Sequence, residues 1–331
     1  ELSNSKKRIA VLEAGGEEYS EFSQNFYSGT SVGDKYFSHR VSRLRMFGGS
    51  SNHWGGWCRE LDEIDFKKKQ ESELFEWPIN KKDLDPFLRK AQDILDLKYI
   101  TEKKKLNKNL NQLTWDWSSV RFGDKYRKLF LERKNIDLYL NANMQNFIFD
   151  KRVNGLNVRN SNGSNYLFVS KLYALATGGI ENSRLLLYSN ALAKQKFIKN
   201  KNSLGKYWME HPHINVGGAF IDRQAFFRSS HNRNPKNQSY AFISPTSSYI
   251  GNSKLSCCLR FKLYEKGKES QSISESTKRW IKESMEDLAC LDSDFTLKIA
   301  GREFKCYSSI KAVFEQPPSY ENRIELDTSS K

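Results

Sequence analysis

Apolar residues run without alternation at Arg8-Ile9-Ala10-Val11-Leu12 and stop at Glu13-Ala14-Gly15-Gly16. A short run of that kind marks a strand buried on both faces. Residues 17–47 are mixed and read as loop, and residues 48–57 form a glycine-rich loop with two tryptophans. At 84–95 the spacing becomes helical: Leu84, Phe87, Leu88, Ala91, Ile94 and Leu95 recur on one face. Asp83 or Asn80 is the candidate N-cap, which puts Pro86 in the first turn, where a missing N–H costs little. The Lys/Asn-rich stretch 101–112 reads as an exposed loop. Strands are predicted at Ile136–Leu140, Asn146–Asp150, Val153–Val158, Tyr166–Val169 and Lys171–Ala176. Thr177-Gly178-Gly179 then leads into a helix start, Ile180-Glu181-Asn182. Strand, tight glycine turn and helix is the geometry that aims backbone N–H groups at an anion.

The texture changes after Glu210. Gly217–Ile221 and Ala241–Ser244 read as strands separated by a Ser/Asn-rich loop at 229–238, and 251–262 resumes strand character. Residues 265–278 are polar, and Trp280, Ile281, Met285 and Leu288 fit one more amphipathic helix. No internal repeat is visible.

Length and charge refine this picture. At about 150 residues per domain, 331 residues suggest two domains. No apolar run approaches the ~18 residues of a membrane helix, and 13% aromatic residues argue against wholesale disorder. Lys+Arg 54 against Asp+Glu 39 gives a net charge of +15. The basic residues are spread along the chain, and Lys67-Lys68-Lys69 and Lys103-Lys104-Lys105 lack interleaved aromatics. That pattern describes a solvated surface better than a nucleic-acid face; an anion-binding module is the rival reading. Five cysteines without a Cys-x-x-Cys spacing argue against a zinc site of that kind and fit reduced thiols in the cytoplasm. The chain starts at Glu1, which leaves a signal peptide, and so a periplasmic location, open.

Four features could form a site. Glu13 ends the predicted buried strand, the position that binds an adenosine ribose in dinucleotide folds; taken alone it reads sooner as a strand-terminal surface acid. Its companion, Gly-x-Gly-x-x-Gly about 20 residues earlier, would fall before residue 1, and no Gly-x-Gly occurs in the chain. Gly48-Gly49-Ser50-Ser51-Asn52-His53-Trp54-Gly55-Gly56 is a ligand loop or a structural turn, with Arg45 just ahead of it as a phosphate partner. Ala176-Thr177-Gly178-Gly179 is an anion turn or a plain strand–helix connection. In Glu210-His211-Pro212-His213 two histidines alternate on a strand; no third metal ligand is identifiable, so no metal is expected.

In combination and in order, these pieces resemble the glucose–methanol–choline (GMC) family of FAD-dependent oxidoreductases. The resemblance rests on six blocks. They are Val11–Gly16; Arg45-Met46-Phe47 with the Gly48–Gly56 loop; Trp77-Pro78-Ile79; Ala176–Leu187; Leu204-Gly205-Lys206 to His211-Pro212; and Phe314-Glu315-Gln316-Pro317 with Glu321-Asn322-Arg323-Ile324. Asn52-His53-Trp54 is similar to the sugar- and polyol-oxidising branch. The resemblance implies an α/β fold: a discontinuous Rossmann-like FAD-binding domain plus an α+β substrate domain with an antiparallel sheet. The implied segments are 1–66 and 134–211 for FAD, 67–133 as connector or lid, and 212–331 as an incomplete substrate domain.

It also implies roles. Glu13 would hold the ribose, with Gly15 and Gly16 beside it and Arg45 nearby. Gly48, Gly49, Ser50 and Asn52 would line the pyrophosphate and flavin ring, with Trp54 offering a flat face. Met144 would contact adenine through its backbone. Ala176, Thr177 and Gly178 would close over the adenosine half. Some sugar-oxidising relatives attach FAD covalently through a His directly before a Trp, and His53 stands in that place; others with this loop hold FAD without a bond. The expected reaction is hydride transfer from the carbinol carbon of a sugar, polyol or other alcohol to flavin N5. Oxygen, a quinone or a partner protein would then accept the electrons. The family's catalytic His lies in a segment expected beyond Lys331, so no catalytic residue is assigned, and the chain is expected to be an inactive fragment or a non-catalytic remnant of such an enzyme.

Overall fold

The computed structural model describes residues 2–34, 37–67, 77–97, 103–199, 202–222, 240–253, 257–263, 296–299 and 302–327. In chain order its strands and α-helices begin β1 (Ile9–Leu12), α1 (Glu21–Gln24), β2 (Trp57–Cys58), α2 (Lys81–Ile94), β3 (Lys103–Lys105), β4 (Leu110–Leu113), β5 (Asp116–Trp117) and α3 (Phe122–Glu132). They continue with β6 (Ile136–Tyr139), β7 (Asn143–Phe149), β8 (Val153–Arg159), β9 (Asn165–Phe168), α4 (Gly179–Leu192) and β10 (His213–Asp222). The last are β11 (Tyr240–Pro245), α5 (Ser247–Ser253), β12 (Cys257–Leu263), β13 (Thr296–Ile299) and β14 (Arg302–Phe314). The chain is mixed α/β and divides into two compact units. One comprises Glu1–Gly55, Val120–Trp208 and Pro318–Lys331; the other comprises Gly56–Ser119 and Met209–Pro317. The segment 67–133 is thereby shared between them.

In the first unit the apolar run at 9–12 pairs in parallel with β6, Ile9 opposite Ile136 and Leu12 opposite Tyr139. Strands β7, β8 and β9 form an antiparallel meander. Helix α4 packs on β7 through Leu185 and through Ser189, whose hydroxyl accepts the Phe147 N–H at 3.0 Å and donates to the Leu185 carbonyl at 2.7 Å. Phe147 is sandwiched by Tyr173 and Phe197.

The second unit is an antiparallel sheet in the order β10-β14-β12-β11-β4-β3, with β13 also on β14. Because side chains alternate across a strand, it carries one apolar cluster on each face. Ile243 and Phe261 pack with Leu110, Leu259 and Ile310; Leu113 and Phe242 pack with Trp57, Trp115 and Cys258.

Several sequence expectations change. From residue 103 the stretch read as a loop is a hairpin: Asn107 Oδ1 accepts the N–H groups of Asn109 and Leu110, closing a turn that lets Leu113 bury to 4% exposure. Helix α2 begins earlier than the apolar stripe, because Asn80 and Asp83 form a reciprocal capping box. Pro86 therefore sits in the second turn, where it denies the Lys82 carbonyl its usual helical donor. No strand forms at 171–176; Ser170 N–H turns locally to the Tyr173 hydroxyl, and Leu172 is left exposed. Residues 251–253 end helix α5 before β12 starts. Within 17–47, Ser20 caps the short helix α1 by accepting the Ser23 N–H. The loop at 229–238, the polar stretch 265–278 and the helix around Trp280–Leu288 lie outside the described residues.

Candidate functional site

The C-terminal end of β1 is where the first unit's candidate residues meet. Beyond Leu12 the pairing with β6 continues: Glu13 N–H donates to the Tyr139 carbonyl at 2.9 Å, Ala142 N–H to the Glu13 carbonyl at 2.9 Å, and Asn141 N–H to the Gly15 carbonyl at 2.8 Å. The Glu13 carboxylate folds back, and its Oε1 accepts the Gly15 N–H at 2.7 Å. Burial raises the Glu13 pKa above the ordinary carboxylate range; the Gly15 N–H and the positive charge of Arg45 oppose the rise.

Arg45 crosses this junction from the other side. It is buried, and its Nη1 donates to the Ala14 carbonyl at 3.2 Å and the Ser23 hydroxyl at 2.8 Å, while Nη2 reaches Asn143 Oδ1. The guanidinium also lies over the Phe26 ring, 4.9 Å from its centroid. Burial pushes the Arg45 pKa down, and the nearby Tyr27 and Glu13 work against that shift. These contacts brace residues 14, 23 and 143 against one another. Gly15 is required by that closeness: a Cβ there would lie 2.1 Å from the Arg45 carbonyl oxygen and 2.7 Å from the Met46 Cα. Gly16 joins the same junction by accepting the Phe47 N–H at 2.8 Å.

The glycine-rich loop follows immediately. Gly48 and Gly49 have positive φ (88° and 53°) and lead into a 3-10 turn over Gly49–Asn52. A Cβ on Gly48 would sit 2.7 Å from the Gly123 nitrogen, so the loop is seated backbone to backbone on the start of α3. The loop's polar side chains hold its shape. Ser50 Oγ accepts the Leu44 N–H, Ser51 Oγ joins the Gly48 carbonyl to the Phe122 N–H, and Asn52 donates to the Phe47 carbonyl. Trp54 is half-buried and donates to the Val120 carbonyl at 2.9 Å, whereas His53 is exposed. Met144 is half-buried near the start of β7, paired with Val158 and next to the Asn143 that holds Arg45.

Ala176, Thr177 and Gly178 are exposed ahead of α4, with Gly178 as its N-cap. Thr177 donates both its N–H and its hydroxyl to Asn182 Oδ1, at 2.9 and 2.7 Å. The first turn of α4 also carries Glu181, nearly buried and paired with Arg43 at 3.1 Å and Arg184 at 2.8 Å. That network ties the 43–48 arm to the end of α4. Two organisers were not singled out by sequence. Gln24, fully buried, donates to the Arg40 and Arg43 carbonyls and accepts the Arg45 N–H; Glu181 was visible only as a helix-start residue. The Ser20 cap ahead of Glu21–Gln24 was the available signal for the first.

In the second unit the His-Pro and Glu-Gln-Pro blocks meet. Glu210 N–H donates to Gln316 Oε1 at 2.8 Å and Phe314 N–H to the Pro212 carbonyl at 3.1 Å. His211 and His213 lie edge to face, 5.0 Å apart. Among the described residues no group of three or more His, Cys, Asp or Glu could hold a metal ion, and no helix is long and apolar enough to cross a membrane. The thiols of Cys58 and Cys258 are pushed up by burial to about 11 and about 12, well away from nucleophilic thiolates.

No protein-family model matches the chain, and neither does any curated protein. Among solved structures it is similar to a mutated formate oxidase of Aspergillus oryzae RIB40, solved in connection with FAD modification. The two share 12% identity over 94% of this chain and 69% of the other, with a TM-score of 0.43. At that score and identity the likeness is a weak link at the level of fold and assigns no role to any residue.

Proposed function

We propose that the chain is part of a GMC-type oxidoreductase that binds FAD and acts on the CH–OH group of a sugar, polyol or other alcohol. The observation that carries this reading is the junction at the end of β1. A carboxylate, two glycines, the arm 45–48 and the start of β7 converge there through direct hydrogen bonds.

The donor set suits a dinucleotide. Glu13 offers carboxylate oxygens at the end of a parallel strand pair, the chemistry that accepts two ribose hydroxyls. Gly48 and Gly49 supply a side-chain-free approach for the pyrophosphate and flavin. The Met144 backbone would meet adenine, and Ala176, Thr177 and Gly178, exposed ahead of a helix N-terminus, would lie along the adenosine half. Arg45 serves in this reading as the brace that fixes Glu13 and the loop relative to each other. Bound FAD would supply the two-electron acceptor for a hydride from the carbinol carbon, at flavin N5. His53, exposed beside Trp54, would be the attachment point of a covalently held flavin. None of the described histidines is assigned as the base.

FAD titrated into the protein, followed by flavin absorbance and fluorescence, tests the proposal. A saturable bound spectrum is expected, weakened about tenfold (about 1.4 kcal/mol) by Glu13→Gln; protein that takes up no flavin overturns it. Acid precipitation of the loaded protein tests the bond separately, because flavin left wholly in the supernatant excludes attachment at His53.

A further inference from the structure

The face of the second unit's sheet that carries Leu113 and Phe242 also carries cations. In antiparallel pairs directly opposite residues share a face. His213 lies opposite Val313 on β14, which lies opposite Cys258 on β12. Two residues along, Asn215 lies opposite Lys311, and Lys311 opposite Arg260. Arg260 in turn lies opposite Phe242 on β11. Three neighbouring strands thus gather His213, Lys311 and Arg260 on one side, with His211 edge-on to His213. The patch borders an aromatic wall, since Phe242 contacts Trp57 and Trp115 with ring centroids 5.5 and 5.4 Å apart.

Like charges directly opposite on adjacent strands are destabilising, yet Arg260 and Lys311 occupy that relation. The electrostatics at His213 register the same field. Burial first, and then Arg260, His211 and Lys311, hold its imidazole below the usual range. Arg59 belongs to the same neighbourhood: with Arg260 it acts on the Cys258 thiol, and it is tied to Asp62 at 3.4 Å.

We propose that this sheet face binds the carboxylate end of a small hydroxy acid, with Arg260 and Lys311 as charge partners and His213 as an adjustable donor. Opposed strand positions place side chains about 4.5–5.5 Å apart, a span suited to one carboxylate and far shorter than a polyanion track. The hydroxyl end of this ligand rests on the oxidoreductase reading above; the carboxylate end stands on the sheet alone. Because the bound anion favours protonated His213, binding tightens as pH falls through the His213 range.

Gluconate is the probe, with sorbitol as its uncharged counterpart and inorganic phosphate as the rival oxyanion, all at constant ionic strength. Binding is read from the imidazole resonances of His211 and His213. The expected result is a saturable gluconate shift, a raised His213 titration and no response to sorbitol. Lys311→Gln, at an exposed strand position, and Arg260→Gln should each weaken gluconate about tenfold with an unchanged melting profile. If Arg260→Gln does not fold, Lys311→Gln carries the test. Equal responses to gluconate and sorbitol, phosphate binding as tightly as gluconate, or undiminished gluconate affinity in Lys311→Gln would each overturn the proposal. FAD uptake measured on the same samples separates the two readings. Gluconate binding without flavin binding removes the oxidoreductase and leaves the anion site, and the reverse removes only the anion site.

Discussion

The two units solve the problem of placing polar groups in opposite ways. At the end of β1 the structure depends on backbone closeness: Gly15 lies under the Arg45 carbonyl, Gly48 against Gly123, and a buried guanidinium joins three segments through carbonyl, hydroxyl and amide oxygens. In the sheet of the second unit β11, β12 and β14 pair in unbroken register, and chemistry is carried by side chains on alternating positions between two apolar clusters. A site of the first kind tolerates almost no substitution, even of groups that touch no ligand. A site of the second kind can change its side chains while keeping its frame.

That contrast can be broken by experiment. The largest effect is expected for Gly15→Ala, whose methyl would need backbone to move; a loss of about 3 kcal/mol or more in urea unfolding is expected. Retained stability would show that the junction is looser than drawn. Leu113→Ala, which empties a position 4% exposed, should cost about 2.5 kcal/mol, showing where the second unit does resist change. Arg45→Lys keeps the charge but loses the fork to Ala14, Ser23 and Asn143, and about 2 kcal/mol is expected in the same assay. Glu13→Gln should act in the other direction. Its raised pKa means the folded state holds the proton more tightly than the unfolded one, so stability falls as pH rises through the folded pKa. The ligand-free Glu13→Gln protein should therefore melt slightly higher than the parent at neutral pH and equally at low pH, while binding flavin less well. The smallest effect, within about 0.5 kcal/mol, is expected for Lys311→Ala.

Much of the frame was legible in the residue pattern. The unbroken run at 9–12 and the strands at 136–140, 146–150 and 153–158 are where the parallel pair and the meander form, but β1 is half-buried with Ala10 exposed and not buried on both faces as its unbroken run predicts. The hairpin at 103–113 was not legible: its β3 is three exposed lysines that pair with β4 across the Asn107 turn, and β4 in turn is held by the distant β11. The converse failure at 171–176 shows apolar content without a neighbour to pair with among the described residues. At the junction, Glu13, the glycines and Arg45 stood out by residue type. What Arg45 does there did not, since its partners Asn143 and Ser23 lie 98 and 22 residues away along the chain.

The parallel pair has a consequence in time. Ile9 is matched with Ile136, 127 residues later in the chain. At about 5–20 residues per second of synthesis, β1 waits roughly 6–25 s on the ribosome before its partner strand exists. During that interval β1 stands without β6, its strand partner among the described residues. Factors that shield a nascent segment, or the pace of translation through residues 13–136, should therefore govern how much of this protein reaches its native form.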